Sequence, residues 1–222
     1  YPIPKAKSMV PAPLLDLAGH EFFHEIVGVN LDSERVSVSD LESLKALRQL
    51  KRLDLEYNQL SSECFEAIAS LEDLTRLDLQ ETGITDADAS CVASLTDLQI
   101  LLLSGNGLSD QCFDHMKDLR NLETLSVRNS SATGVGLDKL ACEESLTSMD
   151  FWRSPISDDG VASLLRFRNL ERLNLSNSTA SADSLQQLSQ LRSLTQLELP
   201  RNTPAEIIRS LQAALPNCTV EN

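Results

Sequence analysis

Apolar residues recur along this chain with a period of 24 positions. Counting from Leu50 in steps of 24, every position reached up to Leu194 is a leucine. The positions three and five residues further on are apolar in every unit, and the register extends backwards to Ile26. Eight consecutive units over residues 26–217 keep the period without an insertion or deletion. Such a fixed period indicates a stack of similar structural repeats.

The apolar spacing changes within each unit. In "LTRLDLQETGITDADASCVASLTD", Leu77 and Leu79 alternate with polar residues, as a strand buried on one face requires. Ala89, Val92 and Leu95 then recur every three residues, which is the spacing of one buried helical face. Each unit is therefore predicted to be a strand followed by a helical segment. Stacked units would join their strands into one parallel sheet, with the helical segments outside it.

The unit pattern L-x-x-L-x-L-x-x-(N/T/S)-x-(L/I) resembles that of bacterial leucine-rich-repeat proteins with 24-residue units, whose second half reads "ITD" or "SD". Here that half reads "GITDADASCVASL" and "GLSDQCFDHMKDL" in two of the units. The opening "LLDLAGHEFFHEIVGVNLDS" resembles the leading segment of planctomycete members, and "LQAALPNCTV" resembles their closing segment. The resemblance covers nearly the whole chain. It implies an interaction role without implying a particular ligand.

These patterns predict an α/β fold, a leucine-rich-repeat solenoid shaped as a right-handed horseshoe or arc. A parallel β-sheet would line its concave side, and helical segments its convex side. Residues 1–25 are predicted to be an N-terminal capping segment, because the first coil of a solenoid exposes an apolar edge. Residues 26–217 form eight repeats, the last of which merges into a C-terminal cap at about 203–222.

Two departures from the repeat pattern affect this prediction. The position of the repeat pattern that the family usually fills with Asn is Asn only at residues 58, 106 and 202, and Thr, Ser or Glu in the other units. In the "ACEESL" turn, Glu143 replaces the usual outer leucine. Either this turn bulges or Cys142 points inward instead.

The opening segment also contains His20-Glu21-Phe22-Phe23-His24, a match to the His-Glu-x-x-His motif of zinc proteases. The two histidines would share one helical face. A catalytic zinc also needs a third ligand and a cleft, yet the remaining histidine, His115, lies several coils away. We expect instead that the segment's leucines and phenylalanines cover the first coil, with no catalytic residue, metal or cofactor.

Composition narrows the possible partners. The net charge of −14 and the pI near 4.6 argue against nucleic acid, because phosphates would be repelled. Apolar runs are too short for direct membrane insertion by this segment. Because the chain begins with Tyr1, we expect a processed form whose upstream signal or anchor has been removed, so its localisation stays open. The five cysteines are expected to be buried thiols, without disulfides.

The register also identifies side chains that point away from the core onto the predicted concave sheet. Ile100 and Leu102 are apolar where other units carry charged or amide groups. Trp152, the single tryptophan, is flanked by Arg153 and by Arg128 of the neighbouring unit. Trp, Tyr and Arg most often carry interface binding energy. The predicted partner-binding residues are Tyr57, Ile100, Leu102, Arg128, Trp152 and Arg153.

An opposing interpretation is that Trp152 folds over the sheet and only shields Leu102 and nearby backbone. We nevertheless expect a non-enzymatic interaction module that binds a protein or peptide on its concave face, as a monomer or weak oligomer. One alternative is a zinc-dependent hydrolase using His20 and His24. Another is a scaffold segment of a larger anchored protein.

Overall fold

The computed structural model describes residues 26–222. Within that part of the chain, one parallel sheet contains nine strands in sequence order. Each strand hydrogen-bonds to the next along the chain. The strands are β1 Gly28–Asn30, β2 Arg52–Asp54, β3 Arg76–Asp78, β4 Ile100–Leu102, β5 Thr124–Ser126, β6 Ser148–Asp150, β7 Arg172–Asn174, β8 Gln196–Glu198 and β9 Thr219–Glu221.

A helical segment follows every strand from β1 to β8, and neighbouring segments pack against one another. Several begin at a serine that accepts a hydrogen bond from the first-turn backbone, such as Ser37 and Ser157. The α-helices are α1 Val38–Leu44, α2 Ser62–Ala69, α3 Asp158–Leu164, α4 Ala182–Gln186 and α5 Ala205–Ala214. The 3₁₀ helices are Asp88–Val92, Asp110–His115, Leu137–Lys139 and Gln187–Gln190. The prediction of an α/β repeat solenoid is confirmed.

Consecutive strands from β1 to β8 pair in one register. Gly28 lies opposite Arg52, Arg52 opposite Arg76, and the same step of 24 residues continues to Gln196. As a result, the apolar residue in the middle of each strand, which is Val29 in β1, Met149 in β6 and leucine in the others, lies beside the same position of the next repeat. Those residues are almost fully buried in the core of β2 to β8. Equal repeat length therefore gives every coil the same inward and outward positions.

The core also resolves the irregular "ACEESL" turn. Cys142 is 1% exposed and occupies the inward position, while Glu143 contacts Arg166 at the surface. Four of the five cysteines are buried free thiols and Cys218 is half-buried. Burial raises the pKa of both Cys91 and Cys142 to about 12, so these side chains stay protonated near neutral pH.

The closing segment adds the strand β9, which the repeat pattern does not predict. Thr219 pairs with Gln196, a step of 23 rather than 24 residues. The Leu199 N–H donates a backbone hydrogen bond of 2.8 Å to the Glu221 carbonyl. Helix α5 buries Leu211 against the last full repeat. The sheet is therefore extended by one strand beyond the eighth unit, and the limits of the capping segments stay predictions.

Buried side-chain amides connect neighbouring coils where a repeat carries Asn at the turn position. The Asn58 amide nitrogen donates to the carbonyls of Leu31, at 2.9 Å, and Leu55, at 2.8 Å, while its oxygen accepts from Val36 N–H. Two repeats later the partly buried Asn106 amide makes the same kind of contacts, with the carbonyls of Leu79 and Leu103 and with Thr82 N–H. Asn202 differs, because it is exposed.

One helix approaches its neighbouring coil too closely for any side chain. A Cβ atom on Gly160 in α3 would overlap the carbonyl oxygen of Thr133 and lie 3.1 Å from the Gly134 Cα. That carbonyl also accepts a 2.9 Å hydrogen bond from Ser157 N–H, which fixes its position. The glycine therefore allows two backbones to pack directly against each other.

We predict that Asn58→Ala lowers the free energy of unfolding by about 3 kcal/mol, because buried backbone groups lose their partners. Urea denaturation would measure the change. Asn202→Ala is the matched control at the equivalent repeat position, and its exposed side chain should contribute less than about 0.5 kcal/mol. Equal losses in the two variants would contradict the role assigned to Asn58.

We also predict that Gly160→Ala destabilises the fold by about 2 kcal/mol through overpacking. The sign is diagnostic, because alanine in a helix interior ordinarily stabilises by about 0.5–1 kcal/mol relative to glycine. Thermal unfolding would measure both this variant and Gly107→Ala, where the backbone φ is +65° but no atom lies within 4 Å of the added Cβ. A Gly160→Ala protein that melts above the wild type would refute the close-approach explanation.

Candidate functional site

The strand residues that flank each buried leucine form the face of the sheet opposite the helical segments, here called the open face. It corresponds to the predicted concave side. Ile100 and Leu102 lie on it in β4 and are both half-buried. Tyr57, beyond the end of β2, is 62% exposed. Arg128, Trp152 and Arg153 follow β5 and β6, and Trp152 is half-buried rather than sealed in the core.

The Trp152 ring is held by two arginines. The guanidinium carbon of Arg153 lies 4.3 Å from the ring centroid and that of Arg128 lies 4.7 Å from it. Such cation–π contacts stabilise by about 0.5–1 kcal/mol at exposed sites. Arg128 also pairs with Asp150 at 3.6 Å, and the backbone N–H of Trp152 donates to the same carboxylate at 3.0 Å. The three predicted residues thus form one ordered cluster, here called the Trp152 cluster.

A row of residues in left-handed backbone conformation runs along the same edge of the open face. One such residue lies three positions beyond each strand from β1 to β7. In the first six of them the backbone N–H donates to a carbonyl of the next coil, as Tyr57 does to Gln80 at 3.0 Å. This left-handed row comprises Ser33, Tyr57, Glu81, Gly105, Asn129, Arg153 and Asn177, with φ between 51° and 77°.

Two depressions lie along the left-handed row, and the Trp152 cluster borders both. The first, of 320 Å³, extends between Tyr57 and Trp152. The second, of 380 Å³, extends from Trp152 towards Arg201 and the end of β9. Ile100 and Leu102 do not line either depression, because they lie further back along β4. The structure therefore brings together Tyr57, Arg128, Trp152 and Arg153, and separates the two aliphatic residues from them.

An ion-pair network occupies the open face between β2 and β3. Arg76 contacts Asp54 at 2.9 Å and Asp78 at 3.2 Å. Among residues 26–222, Arg52 makes no ion pair with Asp54. Asp78 lies directly beside Leu102 in the register, and its burial raises its pKa to about 6 despite hydrogen bonds from Gln80. Burial likewise raises the pKa of Asp150.

Charged side chains without an ion-pair partner line both depressions. Glu56 and Glu81 lie at the β2–β3 end, whereas Arg153 and Arg201 lie towards β8 together with Glu198 and Glu221. In the described part of the chain, none of these side chains is within ion-pair distance of an opposite charge. Glu56 also raises the pKa of Tyr57. The β2–β3 end therefore carries negative charge, and side chains of both signs line the depression at the β8 end.

Sequence reasoning identified the positions of these residues but not their arrangement. Glu56, Glu81 and Asn129 line the first depression, yet they are absent from the predicted partner-binding set. A signal for the left-handed row was present, because Gly105, Asn129 and Asn177 share one repeat position. Glycine and asparagine are the residues that adopt this conformation most readily.

His20 and His24, the histidines of the match to the zinc-protease motif, lie outside the described residues, as does the predicted capping segment 1–25. Across residues 26–222, no three His, Cys, Asp or Glu side chains cluster in a way that could hold a metal ion. The same range contains no helix with the length and apolarity needed to cross a membrane.

Solved structures with a similar fold include a chain from a multi-protein complex and a receptor ectodomain. One is a chain of the octameric complex of Latrophilin 3, Unc5D and FLRT2, in which FLRT2 supplies the leucine-rich-repeat part. Its TM-score is 0.62 and its sequence identity 19%, and the match covers 89% of this chain and 69% of that chain. Another is the ectodomain of the Arabidopsis receptor kinase HAESA in complex with an extended IDA peptide hormone, with a TM-score of 0.56 and 21% identity over 87% of this chain and 33% of that chain.

No curated protein sequence matches the chain significantly. At these identities the structural similarity establishes the fold alone. The sequence profile of the leucine-rich repeat region matches residues 26–218, which is most of the chain. Together with the strand register and the buried leucines, this match shows that the chain belongs to the leucine-rich-repeat family.

Proposed function

We propose that this protein is a non-enzymatic interaction module that binds a protein or peptide partner on its concave, open face. The Trp152 cluster is the observation that carries this proposal. A tryptophan held by two arginines, half-exposed between two depressions, has the composition of an interface hot spot. Because the ring is already ordered, binding would immobilise little additional side-chain freedom.

A second observation that supports the proposal is that the core is filled without Trp152. The leucines and phenylalanines of the repeats already fill the interior, and Phe151, the preceding residue, is fully buried. Trp152 instead packs on arginine side chains at the surface. This arrangement favours a surface role over the interpretation that the ring shields Leu102.

The relatives support the general class of function. The HAESA ectodomain is bound to a peptide hormone, and FLRT2 belongs to a complex of several proteins. This chain spans only 33% of the HAESA chain, so its proposed partner is not taken from that receptor. A bacterial, planctomycete-like origin and a monomeric or weakly oligomeric state stay predictions, as does a role as a segment of a larger anchored protein.

We predict that Trp152→Ala abolishes partner capture while leaving the fold intact. The whole 222-residue chain would serve as bait in a native extract. The affinity of each captured protein would then be measured for the wild type and for the purified variant. Loss of a buried hot-spot side chain weakens binding by about 2 kcal/mol or more, which is roughly thirtyfold. Circular dichroism would verify that the variant retains its secondary structure.

Val135→Ala is the matched control, because Val135 is an exposed apolar side chain, 48% accessible, that lies outside the open face. It should retain wild-type affinity. A partner that binds Trp152→Ala as tightly as the wild type would refute the proposed site. Stoichiometric zinc in the purified protein, lost in His24→Ala, would instead support the hydrolase alternative.

A further inference from the structure

Asp150 connects parts of the Trp152 cluster that come from two different coils. Its carboxylate accepts a hydrogen bond of 3.0 Å from the backbone N–H of Trp152, on its own coil. It also pairs at 3.6 Å with the guanidinium of Arg128, which comes from the preceding coil and lies over the Trp152 ring. One side chain thus contacts both the tryptophan backbone and one of the two arginines that hold the ring.

The stacked arrangement needs a counter-charge. Arg128 and Arg153 lie over the same ring, at 4.7 and 4.3 Å from its centroid, so their positive charges repel each other. Among the ion pairs of residues 26–222, Asp150 is the carboxylate that contacts Arg128, and Arg153 has none. A cation–π contact at an exposed site is weak relative to the side-chain entropy that a held arginine loses. We therefore expect Arg128 to leave the ring when Asp150 loses its charge.

The fold does not require a charged residue at this position of the repeat. Asn174, at the equivalent position of the next coil, accepts the same hydrogen bond from the Ser176 N–H at 2.9 Å. Asn30 closes the turn in the same way in the first coil. A neutral amide thus serves this turn as well as a carboxylate does. The charge of Asp150 therefore serves its contact with Arg128 rather than the turn.

Polar and charged residues from three neighbouring coils surround Asp150. They are Ser126 and Arg128 from the β5 coil, Arg172 and Asn174 from β7, and Gln196 and Glu198 from β8. Burial raises the pKa of the Asp150 carboxyl despite the hydrogen bond from Trp152 and the charge of Arg128. The folded chain therefore takes up this proton at a higher pH than the unfolded chain does. The ionised form destabilises the fold, and the stability of the protonated form is lost as the pH rises through the raised pKa.

We propose that Asp150 is the positioning residue of the binding site, and that its ionised carboxylate keeps Arg128 on the Trp152 ring. Protonation of Asp150 releases Arg128, uncovers part of the indole and weakens capture of the partner. Binding on the open face is consequently stronger at neutral pH than in acidic solution. This inference rests on the proposed function, because it describes the regulation of the same site.

The fluorescence of Trp152 tests the inference without a partner, because it is the single tryptophan of the chain. Acrylamide, a neutral quencher, would be titrated into the protein between about pH 4 and pH 8, a range that begins near the pKa of an unperturbed aspartate. We expect the quenching constant to rise about twofold as the pH falls, since one of the two stacked guanidiniums leaves the ring. Circular dichroism at each pH would define the range over which the chain stays folded.

Three variants assign this transition to its residue. Asp150→Asn keeps the turn hydrogen bond and should give the higher quenching constant at every pH, without a transition. Arg128→Gln should do the same. Asp78→Asn is the matched control, because Asp78 occupies the same repeat position and burial raises its pKa to about 6, but its partners are Arg76 and Gln80. This variant should keep the wild-type transition.

Stability and affinity separate a positioning role from a structural one. At neutral pH, Asp150→Asn should melt at or above the midpoint of the wild type, because it removes a carboxylate whose ionised form destabilises the fold. A partner captured by the wild type should bind the variant about fivefold more weakly, near the upper limit for one exposed ion pair. Acidification should weaken binding to the wild type by the same factor and leave binding to the variant unchanged.

A fluorescence transition that persists in Asp150→Asn, or that is absent from the wild type, would overturn the inference. Its loss in Asp78→Asn, or a lower melting midpoint for Asp150→Asn, would overturn it as well. The proposed function fails separately, when captured partners do not depend on Trp152. A partner that requires Trp152 but binds Asp150→Asn as tightly as the wild type leaves the interaction module standing and removes only the regulation by Asp150.

Discussion

The fold depends on the constant spacing between coils. Each strand is too short to be stable alone, and its neighbours on both sides provide its hydrogen-bond partners and the cover for its central leucine. The 24-residue step keeps every leucine beside its counterpart, from Leu53 opposite Leu77 to Leu173 opposite Leu197. A slip of one residue in the pairing of one strand would move that strand's central side chain to the solvent face. Both the hydrogen bonding of the strands and the burial of their central residues therefore depend on this register.

Register also explains why side chains can vary at one surface position of the repeat while the core stays the same. The left-handed backbone position is repeated from Ser33 to Asn177, and its hydrogen bond uses only main-chain atoms. Its side chain is consequently free to be Tyr57 in one coil and Gly105 in another. The central position of each strand has less freedom, since Leu or Met fills it from β2 to β8. The depressions and charges thus lie on an edge whose backbone is fixed and whose side chains vary.

The periodicity of the sequence was sufficient to predict the repeat strands and the buried leucines, because each follows from a residue's place in its unit. For Cys142 it left the inward position as one of two alternatives. Two features followed different physics. Strand β9 lies at a 23-residue step, so the repeat count does not reach it. Asn202 has the residue type of a buried turn amide, but the chain there passes into α5 and leaves it exposed. Similarly, the grouping of Tyr57 with Trp152 depends on side-chain conformations along an edge, which a list of outward positions does not contain.

The 23-residue step at β9 shows how the closing segment tolerates a change of coil length. Val220 lies opposite Leu197 and is buried, so the last strand keeps the inward position although its coil is one residue shorter. The connection from β8 to β9, which contains α5, takes up the difference. The length of a connection can therefore vary, provided that the strand after it still places an apolar residue in its centre.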